Sequence, residues 1–256
     1  PLPRDPTRTA RFIPIVQSAL YLGHRINDLL TPHQHMADRL SKTTQLFGAL
    51  RKNFLGSKNV WVKVKAEVFT SMILPTLLDG VECCVLSRLT MDELTTTYHR
   101  MVRSALGISP RVQRINRWTS EMMLRRLGLQ PLHYYVDLKV LGFAGHIQRM
   151  PAHRLPQLLR DSTLPGKRKR GGQHKTHAKF LRQSLHRKGI PVAEWKAMAG
   201  DRSAWRKAVT TATKLGARIT RKCRSRLKNA WAAVPKMLIG NTSKKNSEAN
   251  ILWVPS

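Results

Sequence analysis

The chain has 256 residues, and its 46 Lys and Arg against 14 Asp and Glu give a formal net charge of +32. Such an excess excludes an ordinary mixed-charge surface and favours a polyanionic partner, nucleic acid first and an anionic membrane surface as the weaker alternative. A hydrophobic content of 41% and only three cysteines exclude a wholly disordered chain and a disulfide framework, and no apolar run reaches the roughly 20 residues of a membrane span.

The N-terminal part is predicted to form a hairpin followed by an amphipathic helix. Residues 11–27 are rich in apolar and β-branched residues, which is typical of a short strand or hairpin. Thr31 and Pro32 are typical of a helix start and Gly56 of a helix end. Apolar positions recur at helical spacing between them: Met36, Leu40, Thr43, Phe47, Leu50 and Phe54. The predicted outer face of this helix is basic and comprises Arg39, Lys42, Arg51 and Lys52.

The middle of the chain predicts a run of further helices. Residues 60–74 predict a helix whose inward side chains are Val64, Val68, Phe69 and Met72, and residues 75–86 continue it as a kinked helix or a turn. Residues 90–93 read as a capping box that opens a helix to Ala105, which Gly107 closes. Two more helices are predicted over residues 119–128 and 131–150.

The C-terminal half is the more basic one. Residues 1–130 carry 19 basic and 9 acidic residues, net +10, whereas residues 131–256 carry 27 and 5, net +22. The glycine-rich basic stretch 161–177 predicts a linker, and helices are expected over residues 178–188, 191–199 and from Asp201 onward. The predicted division is an N-terminal hairpin 1–27, a helical domain 28–160, the linker 161–177, a basic helical region 178–240 and a disordered tail 241–256.

Catalytic chemistry has little support in the sequence. Two-metal polymerases and nucleases need clustered carboxylates, but the adjacent pair Asp92 and Glu93 is explained by the first turn of a helix. Asp79 and Glu82 have no third carboxylate nearby in sequence. The cysteines and histidines lack the spacing of a zinc site, and no Ser or Cys has recognisable catalytic partners. We therefore expect no catalytic residue, no metal and no cofactor in this chain.

Basic clusters instead predict binding to phosphates. Lys167, Arg168, Lys169 and Arg170 precede a Gly-Gly pair, and a second cluster on the last helix includes Arg221, Lys222 and Arg224. Such runs neutralise phosphates and release counterions, which gives affinity that is independent of base sequence. The tetrabasic run is also compatible with a nuclear-localisation signal, and a nuclear location is expected.

A series of short motifs follows a fixed order over residues 11–209. It comprises Tyr21-Leu22-Gly23 with Ile26, Leu50-Arg51-Lys52, Lys65, residues 74–82, Leu106-Gly107-Ile108-Ser109, Gly145-His146 with Arg149-Met150-Pro151, residues 166–171, Trp195 with Ala199-Gly200-Asp201-Arg202, and Trp205-Arg206. In this order the chain resembles the C-terminal part of the reverse transcriptases of non-LTR (LINE-type) retrotransposons, downstream of their catalytic palm core.

The resemblance implies a fold and a set of roles. The expected fold is mainly α, with a short N-terminal β-hairpin, a helical thumb-like bundle, the basic linker and further helices. The hairpin at Tyr21, Leu22 and Gly23 would end the palm and grip the primer, and the helices over residues 32–107 would clamp the template–primer duplex. The motifs add Lys65 and Arg149 to the expected contacts. The expected partners are RNA or DNA and the missing polymerase core. Binding to a membrane is not expected.

The departures from the family are also informative. The catalytic Asp pair of the family lies upstream of Tyr-Leu-Gly, whereas Asp5 is the acidic residue of residues 1–19. Asp79 stands in place of an aromatic residue, Gln173 in place of Pro, and a cysteine–histidine knuckle is absent. We expect a truncated copy, a fragment or an exapted remnant that binds nucleic acid without polymerising alone. The alternatives are a stand-alone basic architectural or ribosome-associated protein, and an enzyme supplied with carboxylates by another chain.

Overall fold

The computed structural model describes residues 16–21, 23–27, 32–57, 59–162 and 176–211. Within these residues the chain is mainly helical, and a two-stranded antiparallel hairpin precedes the helices. This confirms the predicted fold class.

The elements follow one another with short connections. The strands are β1 (Ser18–Tyr21) and β2 (His24–Asn27). The helices before residue 163 are α1 (His33–Leu50), α2 (Val62–Val68), α3 (Leu74–Leu77), α4 (Arg88–Ala105), α5 (Pro110–Ile115), α6 (Ser120–Leu127), α7 (Leu132–Gln148) and α8 (Leu155–Asp161). After residue 175 come α9 (His177–Lys188), α10 (Trp195–Met198) and α11 (Arg202–Thr210). Single π-helical turns occupy Arg51–Leu55 and Phe69–Ile73, and a 3₁₀ turn occupies Val81–Cys83.

The hairpin turns at Gly23. The two strands pair from Ser18 with Asn27 to Tyr21 with His24, so two residues connect them. Gly23 adopts a φ of 82°, which a glycine reaches without strain and which a two-residue hairpin turn requires.

The predicted inner face of α1 is confirmed, but its outer face is partly wrong. Met36, Leu40, Thr43 and Phe47 are buried as expected. Arg39 is buried as well, because it lies three residues after Met36 and four before Thr43 and so shares their side of the helix. The helix begins at His33 with Pro32 as its N-cap, rather than with Pro32 as the first helical residue, and continues through its π-turn to Gly56. Thr31 lies outside the described residues.

The inward face predicted for the second helix needs a correction. Phe69 is buried as predicted, but Val64 and Met72 are 40% and 41% exposed, and Lys65 and Ile73 face the core instead. The π-turn Phe69–Ile73 widens the helix by one residue, which rotates the positions that follow it. The helical path then continues past Leu74 as α3, because Pro75 stands in the first turn of α3, where its missing N–H is tolerated.

Helix α4 begins one turn earlier than the capping box predicted. Its N-cap is Ser87, whose hydroxyl accepts a bond from the backbone N–H of Thr90 at 3.0 Å. Thr90 lies inside the first turn, and its hydroxyl is 2.9 Å from that of Ser87. The predicted inner face is confirmed by the buried side chains of Leu94, Tyr98, Met101, Val102 and Ala105.

The next helices were predicted with mixed success. The ends of α6 are confirmed, since the Thr119 hydroxyl caps the N–H of Met122 at 3.2 Å and Gly128 ends the helix with a φ of 75°. Helices α5 and α8 were not predicted. Each is a short helix with a proline in its first turn, Pro110 in α5 and Pro156 in α8.

A single hydrophobic core extends from Met36 on α1 to Val209 on α11. Helix α9 packs on α7, where the Arg187 guanidinium donates to both oxygens of the buried Asp137 carboxylate, from Nε at 2.9 and 3.2 Å and from Nη2 at 2.6 Å. The Nζ of Lys188 lies 3.7 Å from the centre of the Tyr134 ring. Helices on both sides of the predicted linker therefore share this core. The linker itself (except its ends), the region after residue 211 and the tail lie outside the described residues, and the domain division stays a prediction.

Candidate nucleic-acid interface

A basic concave surface lies where α1, α4 and α5 meet. We call it the arginine groove and define it by Arg51, Arg100 and Arg103 with the hydroxyl groups of Thr44, Thr97, Ser104 and Ser109. Its volume is about 490 Å³, and Phe47, Met101 and Ile108 form part of its lining. The groove thus combines three cations and four hydroxyl groups over an apolar floor.

Helical spacing explains why the arginines meet there. Arg100 and Arg103 are three residues apart on α4, so they lie on one side of the helix while Tyr98 and Met101 face the core. Arg51 opens the π-turn that extends α1. Arg103 is held in place by a bond from its Nη1 to Oε1 of Gln113 on α5, at 3.1 Å. The groove is therefore built on packed helices, with one of its arginines oriented by a neighbour.

Among the described residues, no acid neutralises the charges of the groove. In the described part of the chain, no carboxylate lies within ion-pair distance of Arg51, Arg100 or Arg103. Exposed guanidinium groups bind phosphate oxygens with two parallel hydrogen bonds, and hydroxyl groups add further bonds to phosphate or sugar. The arrangement suits a chain of phosphates better than a small neutral ligand.

The groove also brings two of the sequence motifs together. Arg51 comes from Leu50-Arg51-Lys52, and Gly107, Ile108 and Ser109 come from the motif that follows α4. Gly107 adopts a φ of 69° at the end of α4, which lets the chain turn back and present Ser109 to the groove. The sequence spacing alone did not indicate that these motifs are neighbours.

The second polar cluster ties the hairpin to α1 and α3; we call it the hairpin junction. It consists of Gly23, His24, His35, Arg39 and the turn Asp79-Gly80. Arg39 donates from Nη2 to the carbonyl of Gly23 at 2.7 Å, and the same nitrogen lies 2.6 Å from Oδ2 of Asp79. One buried arginine thus binds both the hairpin turn and the turn after α3.

The histidines of the hairpin junction leave no room for a side chain at Gly80. His24 Nδ1 and His35 Nε2 are 3.3 Å apart, and His35 Nε2 is 3.0 Å from the carbonyl oxygen of Asp79. A Cβ at Gly80 would lie 2.7–2.8 Å from the two rings, and the φ of Gly80 is 74°. Asp79-Gly80 is therefore a structural turn that the two imidazoles cover.

Burial lowers the pKa of His35, and the nearby charge of Arg39 lowers it further, while the bond to Asp79 acts in the opposite direction. Its Nδ1 is buried and has no hydrogen-bond partner. A proton on that nitrogen would be a buried donor without an acceptor, so the neutral ring fits the site. The hairpin junction thus contains the ion pair of Arg39 with Asp79 beside a neutral His35.

Lys65 and Arg149, both predicted as nucleic-acid contacts, have internal partners. The Nζ of Lys65 donates to the carbonyl of Ala105 at 3.0 Å, at the C-terminal end of α4, where the helix dipole favours a cation. Burial lowers the pKa of Lys65. Arg149 donates from Nη1 to the carbonyl of Ala199 at 2.8 Å. Together with Arg39, these residues hold elements together, so the proposed interface does not include them.

The remaining predicted residues divide into exposed and undescribed ones. Tyr21, Lys42, Arg51 and Lys52 are exposed, and of these only Arg51 lines the arginine groove. The predicted contacts that lie outside the described residues are Leu22, Lys167, Arg168, Lys169, Arg170, Arg221, Lys222 and Arg224. Arg100 and Arg103 were missed, although their spacing on the side of α4 opposite its apolar positions was a signal in the sequence.

The motif Gly145-His146 also has a structural explanation. The Trp205 indole packs directly on Gly145 and donates from Nε1 to the carbonyl of Leu141 at 3.0 Å. A Cβ at Gly145 would collide with that ring. Gly145 and Trp205 are thus two parts of one contact between α7 and α11, and Arg149 with Ala199 forms a second contact on the same side.

The described residues contain neither a metal-binding cluster nor a membrane-spanning helix. No group of three or more His, Cys, Asp or Glu side chains is arranged to hold a metal ion. No described helix is both long and apolar enough to cross a membrane.

Comparisons with known proteins give one informative similarity. No model of a protein family matches the chain, and no solved structure matches it. The chain is similar to an uncharacterized transposon-derived protein of Caenorhabditis elegans, with 24% identity over 199 residues that cover 74% of this chain and 69% of the relative. This similarity supports a transposon-related origin for the chain.

Proposed function

We propose that this chain is the part of a non-LTR retrotransposon reverse transcriptase that follows the catalytic core, and that it binds the backbone of RNA or DNA without polymerising by itself. The observation that carries the proposal is the arginine groove, which places three arginines on a concave surface of packed helices, with no ion pair to any of them within the described residues. The ordered motif series and the similarity to a transposon-derived protein support the origin of the chain.

The physical basis of binding is the release of counterions from the phosphate backbone. Each phosphate neutralised by an arginine releases condensed cations, so affinity depends on the number of contacts and not on base sequence. The groove supplies three such contacts, and the net charge of +32 adds a long-range field that speeds encounter. The groove then determines where the backbone lies, since its arginines are fixed on helices.

A pair of triple variants tests the proposal on the full chain. In R51Q/R100Q/R103Q the groove loses its charge, whereas R182Q/R202Q/R206Q removes three exposed arginines from α9 and α11. Affinity for a fluorescein-labelled RNA–DNA hybrid, measured by anisotropy, should fall roughly 30-fold in the groove variant, about 2 kcal/mol. The control should change by less than about threefold. Equal losses in both variants would contradict a localised interface, and thermal unfolding of each variant shows that it folds.

A primer-extension assay distinguishes this proposal from the alternative that the chain is an active polymerase. The purified chain, with template–primer, nucleotides and magnesium, should incorporate no nucleotide. Magnesium-dependent incorporation would contradict the proposal and would favour an active site completed by another chain. Flanking DNA that lacks a polymerase-like reading frame upstream would favour a stand-alone basic protein instead.

The tetrabasic run carries a separate part of the proposal. Replacing residues 167–170 with Ala should weaken binding to all nucleic-acid sequences by a similar factor, since phosphate contacts carry no base information. A loss restricted to particular sequences would contradict backbone binding. Nuclear import of the same variant, followed with a fluorescent fusion, tests the proposed nuclear location independently.

A further inference from the structure

Helix α5 exposes aliphatic side chains although it buries none. Ile115 is 68% exposed and Val112 is 38% exposed, and no residue of α5 is buried. The two lie three positions apart and therefore on the same side of the helix. Single exposed aliphatic residues are common on protein surfaces, but here two neighbours make up the apolar face of a whole helix. Burial in the core does not hold this helix in place.

Hydrogen bonds hold α5 instead. The Ser109 hydroxyl caps the N–H of Val112 at 3.2 Å. The Gln113 side chain accepts from Arg103 at 3.1 Å and donates to the carbonyl of Trp118 at 3.3 Å, while the N–H of Trp118 donates to the carbonyl of Gln113 at 2.9 Å. Gln113 thus joins the helix to the groove and to the turn that follows it. The apolar face of α5 is presented on a fixed scaffold.

The same segment carries three exposed arginines, Arg111, Arg114 and Arg117. None of them pairs with a carboxylate in the part of the chain that the structure describes. The acid that follows them in sequence, Glu121, is bound to Arg125 at 2.7 Å. The segment therefore combines apolar side chains with charges that remain available to a ligand.

Arg117 adopts a backbone conformation that favours glycine. Its φ is 48°, and among the described residues it has the only positive φ outside glycine. A glycine would adopt this conformation with less strain, so an arginine at this position lowers stability. The conformation closes α5, because the N–H of Arg117 donates to the carbonyl of Arg114 at 3.2 Å and that of Trp118 to the carbonyl of Gln113 at 2.9 Å. It also fixes the position from which the exposed Arg117 side chain extends.

We propose that Arg111, Val112, Arg114, Ile115 and Arg117, together called the α5 elbow, bind unpaired nucleotides that extend from a backbone held in the arginine groove. The inference rests on the proposed function and names the form of nucleic acid that this surface takes. Ser109 and Pro110 line the arginine groove and also begin α5, so the two surfaces are continuous. A strand that leaves the groove at this end meets the α5 elbow next.

The chemistry of the elbow favours unpaired nucleotides over a duplex. A duplex stacks its bases inside and presents mainly phosphates and sugars to a side chain outside its grooves. An unpaired strand exposes the flat apolar faces of its bases beside its phosphates. Val112 and Ile115 then contact bases while the three arginines contact phosphates. Two aliphatic side chains are too few to hold the protein on a membrane, where stable anchoring requires a larger apolar contribution.

The test compares a blunt RNA–DNA hybrid with the same hybrid carrying a single-stranded extension of about eight nucleotides. The variant V112S/I115S removes the apolar face, and L89S on α4 is the control, since Leu89 is 81% exposed. The extension should raise the affinity of the unchanged chain about tenfold. V112S/I115S should lower affinity for the extended hybrid about fivefold and for the blunt hybrid by less than about twofold. L89S should change neither.

Arg117 provides a second test with two readouts. Replacement by glycine should raise the midpoint of thermal unfolding by about 2 °C, because the strain is relieved. The same change should lower affinity for the extended hybrid about threefold, because one phosphate contact is lost. Arg117→Lys should retain most of that affinity, since it keeps the charge. A gain in stability with unchanged affinity would contradict a role for Arg117 in binding.

The outcomes separate the two proposals. The groove variant could lose affinity for both hybrids while V112S/I115S binds the extended hybrid as well as the unchanged chain does. That result would contradict nucleotide binding at the α5 elbow and leave the proposed function intact. Equal losses on both hybrids in V112S/I115S would also contradict nucleotide binding at the α5 elbow. Reduced binding of that variant to phosphatidylserine vesicles, with unchanged nucleic-acid binding, would assign the surface to a membrane instead. An unchanged chain that binds neither hybrid would overturn the proposed function itself.

Discussion

Arg39 and Arg51 belong to the same helix and its extension, yet they have different surroundings. At the hairpin junction, Arg39 is buried and binds the Gly23 carbonyl and the Asp79 carboxylate. In the arginine groove, Arg51, Arg100 and Arg103 have no carboxylate partner within the described residues. Because the Arg39 guanidinium is buried and its Nη2 already binds an internal carbonyl and carboxylate, it has little to offer a ligand, and this difference distinguishes arginines that hold the fold from those available for binding.

The largest expected effect on stability is that of Gly80→Ala at the hairpin junction. Alanine at a φ of 74° is strained, and its Cβ would meet the rings of His24 and His35. We expect a loss of about 3 kcal/mol in the free energy of unfolding, measured by urea denaturation. Gly48→Ala is the matched control, since a Cβ there meets nothing within 4 Å. Equal stability of the two variants would contradict the packing at the hairpin junction.

Arg39→Gln tests whether the buried arginine is structural. It removes the ion pair with Asp79 and the bond to Gly23, and we expect a loss of about 2 kcal/mol in the free energy of unfolding. Affinity for an RNA–DNA hybrid should stay within about twofold of the unchanged chain, because this guanidinium does not face the ligand. A stable variant with greatly weakened binding would reverse the assignment and place Arg39 in the interface.

Gln113→Ala tests whether the position of Arg103 in the arginine groove contributes to binding. Gln113 orients Arg103 and the turn at Trp118, so its loss frees both. We expect affinity for the hybrid to fall about threefold, which is smaller than the effect of removing the three arginines, because the charge of Arg103 remains. Anisotropy titrations of the two variants under the same conditions test this order. A larger effect of Gln113→Ala would show that positioning outweighs charge.

The smallest expected effect is a pH dependence from His35. Its pKa is lowered in the folded chain, so the unfolded chain binds more protons between the folded pKa and the ordinary value of 6.5. Stability should therefore be complete above pH 6.5 and decrease as the pH falls towards the folded pKa. Burial also lowers the pKa of His99 and His133, which adds to the pH dependence of the unchanged chain. The contribution of His35 is therefore measured as the difference between the unchanged chain and a variant that lacks it. Thermal unfolding of His35→Asn between pH 7.5 and 5.5 should show a weaker decrease than the unchanged chain.

Much of the fold follows from local patterns in the sequence. The inner faces of α1 and α4 and both ends of α6 were predicted because apolar spacing and capping residues are local signals. The π-turn at Phe69–Ile73 was not, since it carries no residue signature and moves the inward position that follows it from Met72 to Ile73. A lysine at a core position is read as a surface residue until its acceptor, the Ala105 carbonyl, is known.

The site was less predictable than the fold. Basic residues are easily counted, but their exposure depends on partners distant in sequence, such as Asp79 for Arg39 and Ala199 for Arg149. The arginine groove forms only when α4 and α5 pack beside the end of α1, so Arg100 and Arg103 could not be placed next to Arg51 from spacing. Likewise, Gly145 and Trp205 were recognised as separate motifs, and the structure explains them as one contact.

The salt dependence of binding tests the central claim most directly. The logarithm of the association constant for an RNA–DNA hybrid should fall against the logarithm of salt concentration with a slope near −5 if about six phosphates are bound. In R51Q/R100Q/R103Q the slope should become shallower by about 3, one phosphate for each arginine, while R39Q should keep the slope of the unchanged chain. A flat dependence in the unchanged chain, or a groove variant with an unaltered slope, would contradict backbone binding in the arginine groove.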